Sequence, residues 1–147
     1  MAIEIYTTPP KEFKIEIAVA ACYIEVDGKL LLLQLGPEKK EHGCWGLPAG
    51  KMKELETPYE AAARELFEET GIILDDSIEV RSCGALFIRR PKIEYVLHTF
   101  KPGFKKMPEI VLSDEHQDYR WTTPCEREKM ALLEGGKEVL LHHFLAL

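Results

Sequence analysis

The pattern of hydrophobic and polar positions shifts along the chain between runs typical of strands and the 3.6-residue period of one helix. Residues 15–26 are rich in β-branched and small apolar side chains, which favour a strand. Asp27-Gly28 is a hairpin signal, and residues 29–35 return as a second strand. A polar and charged loop over 36–44 follows. The first part of the chain is therefore predicted to be a β-hairpin.

The clearest helical pattern lies between Thr57 and Gly71. Thr57 is placed as an N-cap, Pro58 occupies the first helical position, and Glu60 completes a capping box. Gly71 is a typical C-terminal stop. At about 100° per residue, the residues predicted to gather on the packing face are Tyr59, Ala62, Ala63, Leu66 and Thr70. The opposite face is predicted to carry charge.

Strands and helices also alternate in the second half of the chain. Two strands are predicted there over 78–89 and 93–100, and a loop over 101–108. A short strand over 117–121 and two helices over 126–133 and 138–147 follow. Pro91-Lys92 forms the turn between the first two strands, and Gly135-Gly136 separates the helices. The order of elements, with no linker, predicts a single domain over 1–147 with an α/β fold: a mixed β-sheet covered by helices, an α/β/α sandwich.

Composition narrows the range of functions. The formal net charge of −6 and the pI of 5.4 argue against the basic surface that nucleic-acid binders present. The apolar stretch over 17–24 is too short to span a membrane, and the first residues lack the basic region of a signal peptide. The four cysteines are widely spaced, without a zinc pattern. We expect reduced thiols and a cytoplasmic location.

Glu65, Glu68 and Glu69 are the most informative chemical feature. Their spacing of three and four residues places three carboxylates on one face of the predicted helix. Like charges at this spacing oppose the helix, and so does negative charge near its C-terminus. A hard divalent cation, with Mg²⁺ favoured, would supply the missing positive charge. A solvated acidic face is the alternative interpretation.

The surroundings of these glutamates resemble a known motif. The matching positions are Gly50, Glu56, Arg64, Glu65, Leu66, Glu68, Glu69, Gly71 and Ile72. Their spacing resembles the Nudix box at every fixed position, and residues 45–50 look like the segment that enters that box. The resemblance implies a loop–helix–loop that binds divalent metal and hydrolyses a nucleoside diphosphate linked to another group.

The resemblance also implies roles for individual residues. Four would be metal ligands: Gly50 through its backbone carbonyl, Glu65, Glu68 and Glu69. Mg²⁺ is the expected metal, with Mn²⁺ as a substitute. Arg64 would brace a glutamate by ion pairing, and Glu56 would support the loop.

Hydrolysis also needs a group that accepts the proton of the attacking water. Within the box Glu65 or Glu68 could do so. Members of the family often recruit an acidic residue from a distant loop, and we choose Glu115 for this role. Asp114 and Asp118 are its close competitors.

The sequence predicts the type of reaction more precisely than it predicts the substrate. Trp45, Phe87 and Tyr95 are candidates for the wall of a base pocket. The sequence Trp-Gly-Leu-Pro-Ala-Gly-Lys, which begins at Trp45, looks like that of MutT-like members that act on nucleoside triphosphates. A small molecule of this class is therefore the favoured substrate.

Two markers of other subfamilies are not matched. Pro91 lies too far along the chain to be the proline of ADP-ribose-type members, and Tyr95 lies too far along to be the tyrosine of dinucleoside-polyphosphate types. The alternatives are hydrolysis of those substrates or of nucleotide sugars, RNA 5′-end hydrolysis and non-catalytic nucleotide binding. A homo-oligomer is also open.

Overall fold

The computed structural model describes residues 3–145, and the side chains of residues 3–142. Within that range the strands are β1 (Glu4–Tyr6), β2 (Ile17–Cys22), β3 (Glu25–Val26), β4 (Lys29–Leu35), β5 (Trp45–Gly46), β6 (Ala49–Lys51), β7 (Val80–Arg90), β8 (Ile93–Pro102) and β9 (His116–Thr122). The helices are α1 (Pro58–Thr70), α2 (Pro124–Glu128) and α3 (Gly136–Leu145).

The strands form two sheets. The larger sheet has five strands in the order β1-β7-β8-β2-β6. Its neighbours are antiparallel except for β2 and β8, which run parallel, so the sheet is mixed. In the smaller sheet, β4 pairs with β3, β5 and β9. The strand β6, which begins the box, therefore lies at an edge of the larger sheet.

Helices cover both faces of the central strands. Successive residues of β2 point to opposite sides of the sheet. Ala20 and Cys22 pack in a buried cluster with Leu66 of α1. Ala21 packs in a second cluster with Val139 of α3. The chain is thus a mixed α/β fold with helices on opposite faces, and the predicted α/β/α sandwich is confirmed.

Local sequence signals determine the first hairpin and the box helix. Asp27 and Gly28 both adopt left-handed backbone angles, with φ of 51° and 75°, as a two-residue hairpin turn requires. Thr57 and Glu60 exchange the two hydrogen bonds of a capping box, and α1 begins at the next residue after Thr57. Gly71 ends α1 in the left-handed conformation, with φ of 76°. These elements agree with the sequence prediction.

Other predicted boundaries were wrong. The single strand predicted over 15–26 is divided into β2 and β3, which belong to different sheets. The helix predicted over 126–133 is displaced, because a capping box at Thr123 starts α2 at Pro124. After Glu128 the backbone pairs with β5 instead of continuing a helix. The last predicted helix begins earlier, at Gly136, and its predicted residues 146 and 147 lie outside the described range.

Candidate active site

The box begins on the edge strand β6 and continues through a loop into α1. β6 is antiparallel to β2, with Gly50 opposite Ala20. A β-carbon built on Gly50 would overlap the carboxylate of Glu65. Glu65 therefore packs directly against the backbone of β6, and only glycine leaves room for it there.

This contact leads to a first prediction. Gly50→Ala would force Glu65 away from β6, and we expect kcat/KM to fall about tenfold or more, because misplaced catalytic groups are costly. Overpacking should also reduce the free energy of unfolding by about 1–3 kcal/mol. Steady-state kinetics and denaturant unfolding measure the two effects.

Gly103→Ala is the matched control for this prediction. The nearest atom to a β-carbon at Gly103 lies at 3.6 Å, an ordinary contact distance. Equal activities of the Gly50→Ala variant and the parent would contradict the assigned role of this close contact.

Arg64 joins the box loop to the glutamates of α1. Its Nε and Nη2 donate to the two carboxylate oxygens of Glu56 at 2.6 and 2.9 Å. Its Nη1 donates to Glu65 at 2.8 Å and to Glu68 at 3.2 Å, and Nη2 also reaches the carbonyl of Lys51 at 3.1 Å. Hydrogen bonding to Arg64 lowers the pKa of Glu56 to about 2. One guanidinium thus connects β6, the loop and α1.

Glu69 is in a different environment from the other two glutamates. It is only 3% exposed, and its Oε1 accepts a hydrogen bond from the backbone N–H of Ala49 at 3.1 Å. Burial raises the pKa of Glu69 strongly, and the neighbouring Glu65 raises it further. The sequence analysis placed all three glutamates on a charged face opposite the packing face, but Glu69 lies with the buried residues of α1. Without a cation, the carboxyl group of Glu69 therefore keeps its proton at pH values well above the ordinary pKa of a glutamate.

The donor set suits a hard divalent cation. The carboxylates of Glu65, Glu68 and Glu69 and the backbone carbonyl of Gly50 could supply oxygen ligands, the type that Mg²⁺ and Mn²⁺ prefer. Among the side chains of residues 3–142, no three from His, Cys, Asp or Glu are already grouped to hold a metal ion. Nη1 of Arg64 instead lies between two of these carboxylates. A cation would compete with Arg64 for them.

Glu115 lies on the loop before β9, near this cluster but not hydrogen-bonded to it. Its backbone oxygen accepts from Gly36 at 2.9 Å, and its carboxylate lies 3.9 Å from Nζ of Lys39. Its charge is one of those that raise the pKa of Glu69. Asp118 differs, because its carboxylate already accepts from a backbone N–H at 2.8 Å. The carboxylate of Glu115 is thus exposed to solvent.

A cavity of about 270 Å³ lies beside β6 and is lined mainly by apolar side chains. Trp45 and Tyr95, two of the three predicted pocket residues, line it. The third, Phe87, is not brought there and packs edge-on against Phe13, with ring centroids 5.8 Å apart. Lys51 also lines the cavity, although the sequence analysis did not select it as a site residue.

The cavity and the carboxylate cluster share one strand. Ala49 and Lys51 line the cavity, whereas Gly50 between them contacts Glu65. Consecutive residues of a strand face opposite sides, so β6 separates an apolar pocket from a group of carboxylates. A molecule with an aromatic part and an anionic part can use both.

A comparison with protein families agrees with this geometry. The model of the NUDIX domain matches residues 14–144. The chain belongs to the Nudix family. The CTP pyrophosphohydrolase of Escherichia coli K12 is 43% identical over 131 residues, which cover 89% of this chain and 93% of that protein. Together with the family match, this relative identifies the chain as a Nudix pyrophosphohydrolase.

Solved structures of the family share the fold. The solution structure of the Escherichia coli ORF135 protein superposes with a TM-score of 0.67 at 30% identity, covering 95% of each chain. A bifunctional NMN adenylyltransferase/ADP-ribose pyrophosphatase from Francisella tularensis, complexed with AMP and a Mn ion, has a TM-score of 0.66 at 22% identity. This match covers 88% of the Nudix chain described here and 41% of the Francisella protein, and it shows the common fold. None of the helices within residues 3–145 has the length and apolar run needed to cross a membrane.

Proposed function

We propose that this Nudix enzyme hydrolyses a pyrophosphate bond of nucleoside triphosphates and requires Mg²⁺ or Mn²⁺. The observation that carries the proposal is the position of β6 between the apolar cavity and the carboxylates of α1. A base fits the apolar side, and the phosphates then lie at the edge of the sheet. The relative that hydrolyses CTP, according to its name, supports this class of substrate.

The residues of the box would have different roles in the reaction. The oxygen atoms of Gly50, Glu65, Glu68 and Glu69 would hold the cation, which neutralises phosphate charge and lowers the pKa of the attacking water when bound. The Mn ion in the Francisella complex is consistent with this choice of metal. Arg64 orients Glu65 through its hydrogen bond of 2.8 Å.

The proton of the attacking water needs an acceptor outside the ligand set. Glu115 fits best, because its carboxylate is exposed and its ion pair with Lys39 is long, at 3.9 Å. Glu65 and Glu68 are engaged by Arg64. We therefore assign proton acceptance to Glu115 and expect substrate phosphates to release it from Lys39.

An activity screen tests the proposed function. The purified protein with Mg²⁺ is offered nucleoside triphosphates, nucleotide sugars, ADP-ribose, dinucleoside polyphosphates and triphosphorylated RNA. We expect release of nucleoside monophosphate or diphosphate from the triphosphates at the highest rate. Faster hydrolysis of another class would replace the proposed substrate, and no hydrolysis of any class would leave nucleotide binding as the function.

Metal removal is the second prediction. Exhaustive chelation should abolish turnover, and added Mg²⁺ or Mn²⁺ should restore it, because the clustered carboxylates need a counter-charge. The measurement is the rate of product release against free cation concentration. Undiminished turnover in the chelated protein would refute the metal requirement.

The third prediction concerns the proton acceptor. Glu115→Gln should lower kcat by about a hundredfold while KM stays nearly constant, since general-base catalysis typically contributes that much and acts on the chemical step. Asp114→Asn and Asp118→Asn are the matched controls, measured at saturating Mg²⁺. If only an aspartate variant is slow, the role belongs to that residue. If all three variants match the parent, the acceptor lies within the box.

We also place the enzyme in the cytoplasm. All four cysteines, Cys22, Cys44, Cys83 and Cys125, are free thiols in the structure. Free thiols are typical of a reducing compartment.

A further inference from the structure

One flank of α1 presents large apolar side chains to solvent. Tyr59, Ala63 and Phe67 follow each other at intervals of four residues, so they form one row along the helix. The chain after β8 returns beside the end of this row, where the N–H of Val111 donates to the carbonyl of Thr70 at 2.8 Å. We define the α1 flank by its five large exposed side chains, Tyr59, Phe67, Ile73, Met107 and Val111.

Packed residues hold the α1 flank from behind. The ring of Tyr59 packs edge-on against Phe100, with ring centroids 5.7 Å apart. A β-carbon on Gly71, at the end of α1, would lie 3.4 Å from the side chain of Val111. Leu66 of α1 packs in the buried cluster below. Because the flank is part of a packed surface, little conformational freedom would be lost when a partner covers it.

The apolar area of the α1 flank matches that of a protein interface. At about 200 Å² for a large side chain, the exposed fractions of its five members leave about 500 Å² in solvent. A stable interface takes about 800 Å² from each partner, and about 65% of this area is apolar between identical subunits. The flank thus supplies the apolar centre that one such interface needs.

Charged side chains of both signs border the α1 flank. A border of one sign would select a partner of the opposite sign, and two copies that carry it would repel each other. A mixed border can instead pair with a rotated copy of itself. The exposed charged residues that adjoin members of the flank in the chain include Asp75, Asp76, Lys105, Lys106 and Glu109.

The row on α1 is symmetrical about Ala63. Tyr59 lies four residues before this alanine, and Phe67 lies four residues after it. If two copies of α1 pack antiparallel with a two-fold axis at Ala63, Tyr59 of each copy meets Phe67 of the partner subunit. Rows spaced by four residues interlock in the commonest class of helix packing, and a small central side chain lets the helices approach. We propose that a second copy of this chain binds the α1 flank in this antiparallel arrangement.

The proposed dimer leaves the carboxylates of both copies open to solvent. With 3.6 residues per turn, Glu65 and Glu68 lie about 160° and about 140° around the helix from Ala63. The segment with Val111 continues to Glu115, so the partner holds that segment from outside. The inference does not rest on the proposed function, because it uses a surface of α1 that the reaction does not need.

Sedimentation of the whole chain across a wide range of concentrations tests the proposal. We expect a species with twice the 16.8 kDa mass of the chain. Phe67→Lys should raise the Kd of the dimer about thirtyfold or more, as changes of central aromatic contacts do. Ile15→Lys is the matched control, because Ile15 is 52% exposed and Phe67 53%, but only Phe67 belongs to the flank.

Cross-linking tests the antiparallel arrangement. Ala63→Cys places two thiols at the two-fold axis, and mild oxidation should join the two copies by a disulfide. Glu54→Cys, which changes an exposed residue of the box loop, is the matched control and should cross-link no more than the parent.

Three results would overturn the proposal. A parent that stays monomeric at every concentration would leave the α1 flank for a different protein. A dimer that persists in Phe67→Lys, or that does not cross-link through Ala63→Cys, would place the contact elsewhere. Circular dichroism checks that each variant is folded, and Val111→Lys replaces Phe67→Lys if the latter is not.

Discussion

Glu69→Gln is expected to reduce kcat about a hundredfold or more, because it would remove a charged oxygen ligand from the proposed cation, which stabilises the transition state when bound. The folded structure should remain, since glutamine has the same shape as the protonated glutamic acid. Its amide oxygen can still accept from Ala49, as Glu69 does at 3.1 Å. Steady-state kinetics at saturating Mg²⁺ measure the effect.

The same substitution should alter the pH dependence of stability. The pKa of Glu69 is raised in the folded protein, first by burial. The stabilisation from its bound proton is therefore complete below the ordinary glutamate pKa, and it is lost as the pH rises towards the folded-state pKa. In the metal-free parent, the free energy of unfolding should fall across that range. In Glu69→Gln this decrease should be absent.

A cation should compensate for the lost proton. Mg²⁺ at alkaline pH should stabilise the parent more than Glu69→Gln, because the ion binds the folded protein through that carboxylate. Glu54→Gln, which changes an exposed residue of the box loop, is the matched control. If Glu69→Gln retained the parental kcat, or unfolded while Glu54→Gln did not, Glu69 would be a structural residue.

Arg64→Lys is expected to lower kcat about ten- to a hundredfold, as is typical when a residue that orients metal ligands is changed. Its guanidinium holds both oxygens of Glu56 and still reaches Glu65 and Glu68. Lysine keeps the charge but cannot form the planar fork that fixes several carboxylates at once. KM should change little, because no contact with the base is altered.

Arg89→Lys is the matched control for this variant. Arg89 also makes two ion pairs, with Glu4 at 3.2 Å and Glu94 at 2.7 Å, but it does not line the candidate site. A loss of activity in Arg64→Lys alone, with unchanged thermal unfolding of both variants, supports the orienting role. Equal activities of both variants and the parent would show that the guanidinium of Arg64 is dispensable.

The sequence predicted best those features that depend on neighbouring residues. The caps at Thr57 and Gly71 lie within one turn of the helix ends, so the bounds of α1 follow from local hydrogen bonding. The turn at Asp27-Gly28 likewise depends on two residues. The box could be recognised in the sequence for the same reason, because its fixed positions all lie between Gly50 and Ile72.

Features that depend on distant segments were not predictable from one sequence. The spacing of Glu69 assigns it to the charged face with Glu65 and Glu68, and only the packing of α1 on the sheet buries it. The segment after Glu128 contains good helix formers, but pairing with β5 takes its backbone hydrogen bonds. Arg90 and Glu134 carry no shared motif, and tertiary structure alone brings them together.

The parallel pairing of β2 with β8 has a consequence for how the enzyme reaches its active form. It joins Ile17 to Tyr95 and Cys22 to Phe100, residues far apart in the chain. The hairpins and α1 can form from local contacts, whereas this pairing requires closing a long loop and is intrinsically slow. The apolar cavity beside β6 needs β8 beside β2, and the carboxylate cluster needs β6 beside β2. During refolding, helical structure should therefore appear first, and catalytic activity only with the final closure of the sheet.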